Sequence, residues 1–251
     1  MGRIIAVVNQ KGGVGKTTTA VNLAAALTEA GKRVLLCDFD PQANATSGMG
    51  INKRKITKSI YDVVVNGEAA AAVIQKTKFG DVLPSSPDLA GAAVELITME
   101  EPNYRLRNAL NVIRDNYDAI FIDCPPSLEM LTLNGLAAAD GILVPVQCEY
   151  YALEGLADLM TTLRLAKKRM NPELEIFGVL LTMFDGRTNF STQVAQEVRR
   201  HFPGKVYATM IPRNVRLAEA PSHGLPVTSY DKHSRGAQAY RAVAQEIIKK
   251  G

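Results

Sequence analysis

Residues 3–29 read RIIAVVNQKGGVGKTTTAVNLAAALTE, and three kinds of order follow one another within them. An apolar, β-branched run (3–8) comes first and gives way to closely spaced glycines. Val21, Leu23, Ala24, Ala26 and Leu27 then recur near helical spacing, and Gly31 supplies the stop. Strand, glycine-rich turn and helix in that order predict an open α/β sheet with a ligand at the turn. The glycines permit positive φ and close backbone approach, so successive N–H groups can face phosphate oxygens. A helix starting near Gly15 adds its positive dipole end. Lys16 can then reach β- and γ-phosphates, and the Thr17 hydroxyl can ligate Mg²⁺.

The loop departs from the common G-x-x-x-x-G-K-[ST] form. Position 10 is Gln where the first glycine belongs, and Lys11 places a second cation beside Lys16. Two such ammonium groups repel unless a nucleotide neutralises them, or unless Lys11 reaches the nucleotide of a neighbouring subunit.

Outward from this segment the pattern repeats. Apolar runs at 33–37, 119–123, 141–146, 177–182 and 206–211 alternate with helical stretches near 104–115, 129–138, 153–170, 190–202 and 235–249. Continuous apolar strands between amphipathic helices predict a mostly parallel twisted sheet with helices on both faces, in one domain spanning 1–251. The stretch 44–103 is the least regular, and the expectation there is small helices with one strand near 80–84.

Two strand ends carry carboxylates. Asp38 and Asp40 follow the second run, and simple alternation puts both on one side, toward the γ-phosphate and its metal. Asp123 ends the apolar run AIFID, the arrangement in which a buried strand fixes a carboxylate near Mg²⁺. Either feature alone is common; beside a phosphate-binding loop each gains weight.

Composition excludes several classes. The chain is 47% hydrophobic and 22% charged, ordinary for a globular protein, and no apolar run is long enough for a membrane span. Cys37, Cys124 and Cys148 lack metal-ligand spacing and sit in or beside apolar runs, so they read as buried thiols in a reducing compartment, the cytoplasm. Net charge is +4, unevenly spread: residues 186–251 hold eleven Lys/Arg against four Asp/Glu, and residues 1–185 eighteen against twenty-one. A basic final quarter suits an anionic partner such as nucleic acid, or simply a solvated face.

The blocks NQKGGVGKTT, DFDPQANATSG, IDCPPSL, PVQCEYYALEGL, LLTMFDGRTN, IPRNVRLAEAPSHG and YDKHSRGAQAY occur in an order that resembles the ParA/Soj chromosome-partitioning ATPases, nearly end to end. These are deviant Walker A proteins of the MinD/ParA superfamily. The resemblance implies ATP and Mg²⁺ as ligands, held by Gly12, Gly13, Val14, Gly15, Lys16, Thr17 and Thr18. It implies that Lys11 contacts the partner's nucleotide in an ATP-bridged homodimer. Asp40 would position the attacking water, Thr17, Asp38 and Asp123 would serve the metal and its surroundings, and Pro212 and Asn214 would contact adenine. Arg187 and Arg216 match the positions of non-specific double-stranded DNA binding. A ParB-type centromere-binding partner would stimulate hydrolysis, and the protein would sit on the nucleoid. One departure is Ala43, where the family often has glycine.

Three other readings compete. A MinD-like membrane-cycling ATPase needs a C-terminal amphipathic membrane helix, whereas the stripe Tyr240, Val243, Ala244, Ile247 and Ile248 reads as a core-docking helix, so no stable membrane association is expected. An iron–sulfur ATPase needs paired cysteine ligands, and Cys124 and Cys148 lie outside matching motifs. A cytoplasmic cargo-positioning ATPase shares every nucleotide-binding feature.

Overall fold

The computed structural model describes residues 2–127, 129–149 and 152–250. Its strands are β1 (Arg3–Val7), β2 (Val34–Asp38), β3 (Gln75–Thr77), β4 (Gly80–Leu83), β5 (Ala119–Asp123), β6 (Gly141–Gln147) and β7 (Glu175–Thr182). They form one sheet in the order β3-β4-β2-β5-β1-β6-β7. Every pairing is parallel except the β3–β4 hairpin at one edge. Parallel neighbours need long crossovers, and helices supply them, which buries both faces and explains why the strands read as unbroken apolar runs.

Alternate residues of every strand except the polar edge strand β3 feed two cores. Ile4 and Ala6 of β1 pack with Leu106, Leu110, Leu136 and Val198 from helices on one face. Ile5 and Val7 pack on the other face with α1 (Lys16–Glu29) and the helix Arg235–Lys250. Fully burying each such Ile or Leu stabilises the fold by about 1.5–3 kcal/mol. The helix Arg235–Lys250 buries Tyr240, Val243 and Ala244 against α1, and the Tyr240 hydroxyl lies 3.2 Å from Thr19 Oγ1. Its apolar stripe is therefore spent on the core.

Connectivity places the site. From central β1 the chain crosses to β2 on one side, while β6 and β7 lie on the other. The loop after β1 thus opens at the point where strand order reverses, the ordinary ligand crevice of an open α/β sheet.

Two expectations are corrected. The run 206–211 is no strand. Tyr207 N donates to Val179 O and Ile211 N to Leu181 O, so the segment follows the β7 edge at its two ends. Between them Ala208 N and Thr209 N donate to the Glu246 carboxylate instead, at 2.9 Å each, and the ladder breaks. Tyr207 also crowds the edge, lying where a Cβ on Gly178 would meet its ring at 2.4 Å. Within 44–103 the short helices and the strand near 80–84 are present, but the hairpin adds β3, whose three polar, part-exposed residues give no apolar signal.

Candidate active site

The loop after β1 is anchored at both ends. Asn9 Nδ2 donates to Pro145 O of β6 at 2.8 Å, while Asn9 Oδ1 accepts from Lys11 N at 3.0 Å. Thr182, at the end of β7, donates from Oγ1 to Val14 O at 2.8 Å. Gly13 and Gly15 have φ of 75° and 90°, a region that costs an L side chain roughly 1–2 kcal/mol. Gly15 is the N-cap of α1, and no side chain caps that end. The first N–H groups of α1 are therefore left for an anion.

Two charged side chains, Lys16 and Asp123, converge on the loop. Lys16 is buried, and its Nζ donates to Lys11 O at 3.1 Å. Burial pulls its pKa below the usual lysine value, and the charges of Asp123, Cys124 and Asp40 oppose that pull. Asp123 is fully buried, and neither carboxylate oxygen has a hydrogen bond of good geometry; the Thr17 side chain approaches closely enough to interact with it. Burial first, and then the neighbouring Asp38 and Asp40 charges, push its pKa well above the usual carboxylate value; hydrogen bonding from the Thr17 side chain and the Lys16 charge pull it down. A buried carboxylate without a donor is costly, and a cation at its face removes that cost. Together with the Thr17 hydroxyl, this oxygen-donor pair fits Mg²⁺ on a nucleotide phosphate.

Asp38 is different. It pairs in register with Asp123 across the β2–β5 ladder and is equally buried. Its Oδ2 accepts from Thr46 N at 2.7 Å and Thr46 Oγ1 at 2.6 Å, and its Oδ1 accepts from Asp40 N at 3.3 Å. Burial raises its pKa to about 6 against these stabilising bonds. β2 ends at Asp38, so strand alternation does not itself orient Asp40, yet the Asp40 charge acts on Asp38, Asp123 and Lys16 alike. Asp40 stands part-exposed in the following turn, with Oδ1 accepting from Gln42 N at 2.9 Å and its carbonyl accepting from Ser85 Oγ at 2.7 Å. Ser85 N in turn donates to Thr46 Oγ1 at 3.0 Å. Thr46 and Ser85 thus brace the Asp38–Asp40 turn; Thr46, Asn9 and Thr182 lie within the sequence blocks that carry the family resemblance, but nothing in those blocks announces these bracing bonds, and Ser85 lies outside them.

On the other side of the loop, Pro212 and Asn214 line a cleft of about 200 Å³ together with Gly15, Thr18, Thr182 and Tyr240. Asn214 Oδ1 caps the short helix Val215–Glu219 by accepting from Arg216 N. Met183, a further lining residue, has φ of 50°, a strained value for a non-glycine residue. Arg187 and Arg216 lie outside the cradle and the cleft. Arg187 is exposed and bonded to Asp185 at 2.6 and 2.9 Å, while Arg216 bridges Glu219 at 2.8 Å and Asp231 at 3.3 Å. Cys37, Cys124 and Cys148 are all buried and unpaired as disulfides. No described helix is long and apolar enough to cross a membrane.

A family model described as an AAA domain matches residues 2–176. The sporulation initiation inhibitor protein Soj of Bacillus subtilis is 54% identical over 253 residues, covering all of both chains. The chromosome partitioning protein ParA of Myxococcus xanthus is 51% identical, covering 100% of this chain and 89% of its own. This chain belongs to the ParA/Soj family of partitioning ATPases. Among solved structures, cobyrinic acid a,c-diamide synthase from Mycobacterium smegmatis, with bound ADP and magnesium, has a TM-score of 0.87 at 38% identity, covering 99% of this chain and 95% of that one. Against the ParA/Soj pattern, Ala43 has φ of 52° and ψ of 38°, a left-handed conformation that glycine adopts without strain.

Proposed function

We propose that this chain is a Mg²⁺-dependent ATP-hydrolysing switch for chromosome or plasmid partitioning. Triphosphate-bound subunits pair and hold DNA, and hydrolysis releases them. The observation that carries this reading is the fully buried Asp123 carboxylate, without a well-formed hydrogen bond, beside the Thr17 side chain and Lys16 at the glycine loop.

Gly12 to Thr18 would cradle the phosphates, with Lys16 on the β- and γ-oxygens. Thr17 and Asp123 would hold Mg²⁺, which when bound neutralises charge developing on the phosphates. Asp38 would act on the metal's surroundings through Thr46 and the turn it fixes. Asp40 would orient the attacking water from that turn. Pro212 and Asn214 would face the adenine in their cleft. Lys11 would reach the partner subunit's nucleotide, so Lys11→Ala should keep ATP binding and lose both hydrolysis and ATP-dependent pairing.

Arg187 and Arg216 would take DNA phosphates, exchanging exposed carboxylate partners for phosphate oxygens. Exposed ion pairs contribute little, so the exchange is easy. Phosphate contacts carry no base information, which makes binding non-specific and steeply salt-dependent. A ParB-type protein would accelerate hydrolysis, and the working location would be the nucleoid in the cytoplasm. The switch requires that the two nucleotide states differ in affinity for DNA.

DNA binding measured with ATP, with ADP and without nucleotide, beside an Asp40→Ala variant, tests the cycle. A DNA-bound Asp40→Ala dimer trapped by ATP is expected. Nucleotide-independent binding, or a chain that stays monomeric with a non-cleavable triphosphate analogue and Mg²⁺, overturns it.

A further inference from the structure

Segment 44–80 holds six Lys/Arg against two Asp/Glu, a basic stretch concealed within an otherwise acidic body. The fold gathers part of it. A groove of about 900 Å³ opens at the β3 edge, between the turn at 49–56, the β3–β4 hairpin and the loop 221–225. Lys55, Lys76, Lys78 and His223 line it, with polar Asn52 and Thr77, and none of its lining residues carries a carboxylate. The three lysines are exposed, and none forms an ion pair among the described residues. Lys53 and Arg54, also exposed, continue the charge beside it.

This groove is joined to Arg216 by side-chain contact. His223 on its rim stacks on Tyr230 with ring centroids 4.8 Å apart. The Tyr230 hydroxyl donates to Glu219 Oε2 at 3.2 Å, and the same oxygen accepts from Arg216 at 2.8 Å. One layer of side chains therefore separates the groove from an arginine already assigned to phosphate.

We infer that the groove extends the DNA track, with Lys55, Lys76 and Lys78 contacting phosphates of the same duplex beyond Arg216. The inference rests on the DNA-binding reading above. Flexible lysines act as point charges suited to a phosphate backbone. An acidic polypeptide could also be drawn to lysines; the connection to Arg216 favours the duplex.

The test is the salt dependence of duplex binding with ATP and Mg²⁺, for wild type, Arg216→Ala and the triple variant Lys55→Gln/Lys76→Gln/Lys78→Gln. Each lost phosphate contact lowers the slope of log K against log salt by about 0.9. The triple variant should lose about 2 to 3 in slope and at least ~10-fold in affinity at ~0.1 M salt, equally on unrelated sequences. Its nucleotide affinity, ATP-dependent dimerisation and melting temperature should match wild type, and the Lys→Arg triple variant should restore binding. An unchanged slope beside a weakened Arg216→Ala overturns this inference alone. Wild type that ignores duplex DNA under ATP overturns the switch reading as well. Loss of poly-glutamate binding without loss of DNA binding assigns the groove to an acidic polypeptide and also overturns it.

Discussion

The ends of β2 and β5 lie side by side, and each buries an aspartate completely. Sequence marks them alike, as apolar runs closed by a carboxylate. Yet Asp38 receives three well-formed hydrogen bonds from its own loop, while Asp123 receives none of that quality and has only the Thr17 side chain near it as a donor. A satisfied buried carboxylate fixes backbone; an unsatisfied one needs a cation. On the proposed function, the difference would separate a group that shapes the site from one that holds the metal.

Replacing Asp123 gives the largest expected effect. Asp123→Asn should lower ATP turnover about 100-fold or more, since metal stabilisation of the transition state is worth several kcal/mol. Stripping Mg²⁺ with EDTA should weaken nucleotide binding in wild type and leave the variant little changed, measured by fluorescent-nucleotide titration. Normal hydrolysis by the variant would break the comparison at its stronger end.

The Asp38 end is tested through its partner. Thr46→Val removes a donor from a buried carboxylate and should cost about 2 kcal/mol in urea unfolding. Asp123→Asn in Mg²⁺-free buffer should cost nothing or stabilise, because it removes an unpaired buried acid. Equal losses in both variants would erase the distinction.

Protonation sharpens it further. Both carboxyls hold their protons more tightly folded than unfolded, so their stabilising contribution is complete at low pH and declines as pH rises. For Asp38 the window runs from the ordinary 3.8 to about 6. Mg²⁺-free protein should therefore lose stability across this range, and Asp123→Asn should flatten the decline. Depressed carboxyls such as Asp118 and Asp185 act in the opposite sense at lower pH. A melting temperature that climbs steadily from pH 4 to 7 without Mg²⁺ would contradict this account.

The smallest structural effect belongs to Arg216→Ala. Its ion pairs are at the surface, so the melting temperature should not move. DNA affinity should fall by a similar factor on unrelated duplexes, and a loss confined to one sequence would argue for base readout instead.

Much of this was legible in the chain. KGGVGKTT between a strand and a helix fixed the cradle, because only glycine spacing of that kind lets backbone N–H groups converge. AIFID located Asp123 for a similar local reason. The roles of Ser85, Asn9 and Thr182 were not legible, since each acts through a bond to a residue brought near only by folding, and the Thr46 bond to Asp38, though local, depends on the shape of the loop between them. The run 206–211 misled for the same cause: its composition suits a strand, but Glu246 from a distant helix takes its donors.

The sequence alone determined the parallel α/β architecture, the loop that faces phosphate and the identity of the acids beside it, because these depend on periodicity and backbone freedom within short segments. Tertiary structure alone decided which of two like aspartates is satisfied, which residues brace the turn carrying Asp40, and which scattered lysines share a groove. Hydrogen-bond satisfaction and electrostatic summation depend on distances in space, and residues far apart in the chain set those distances.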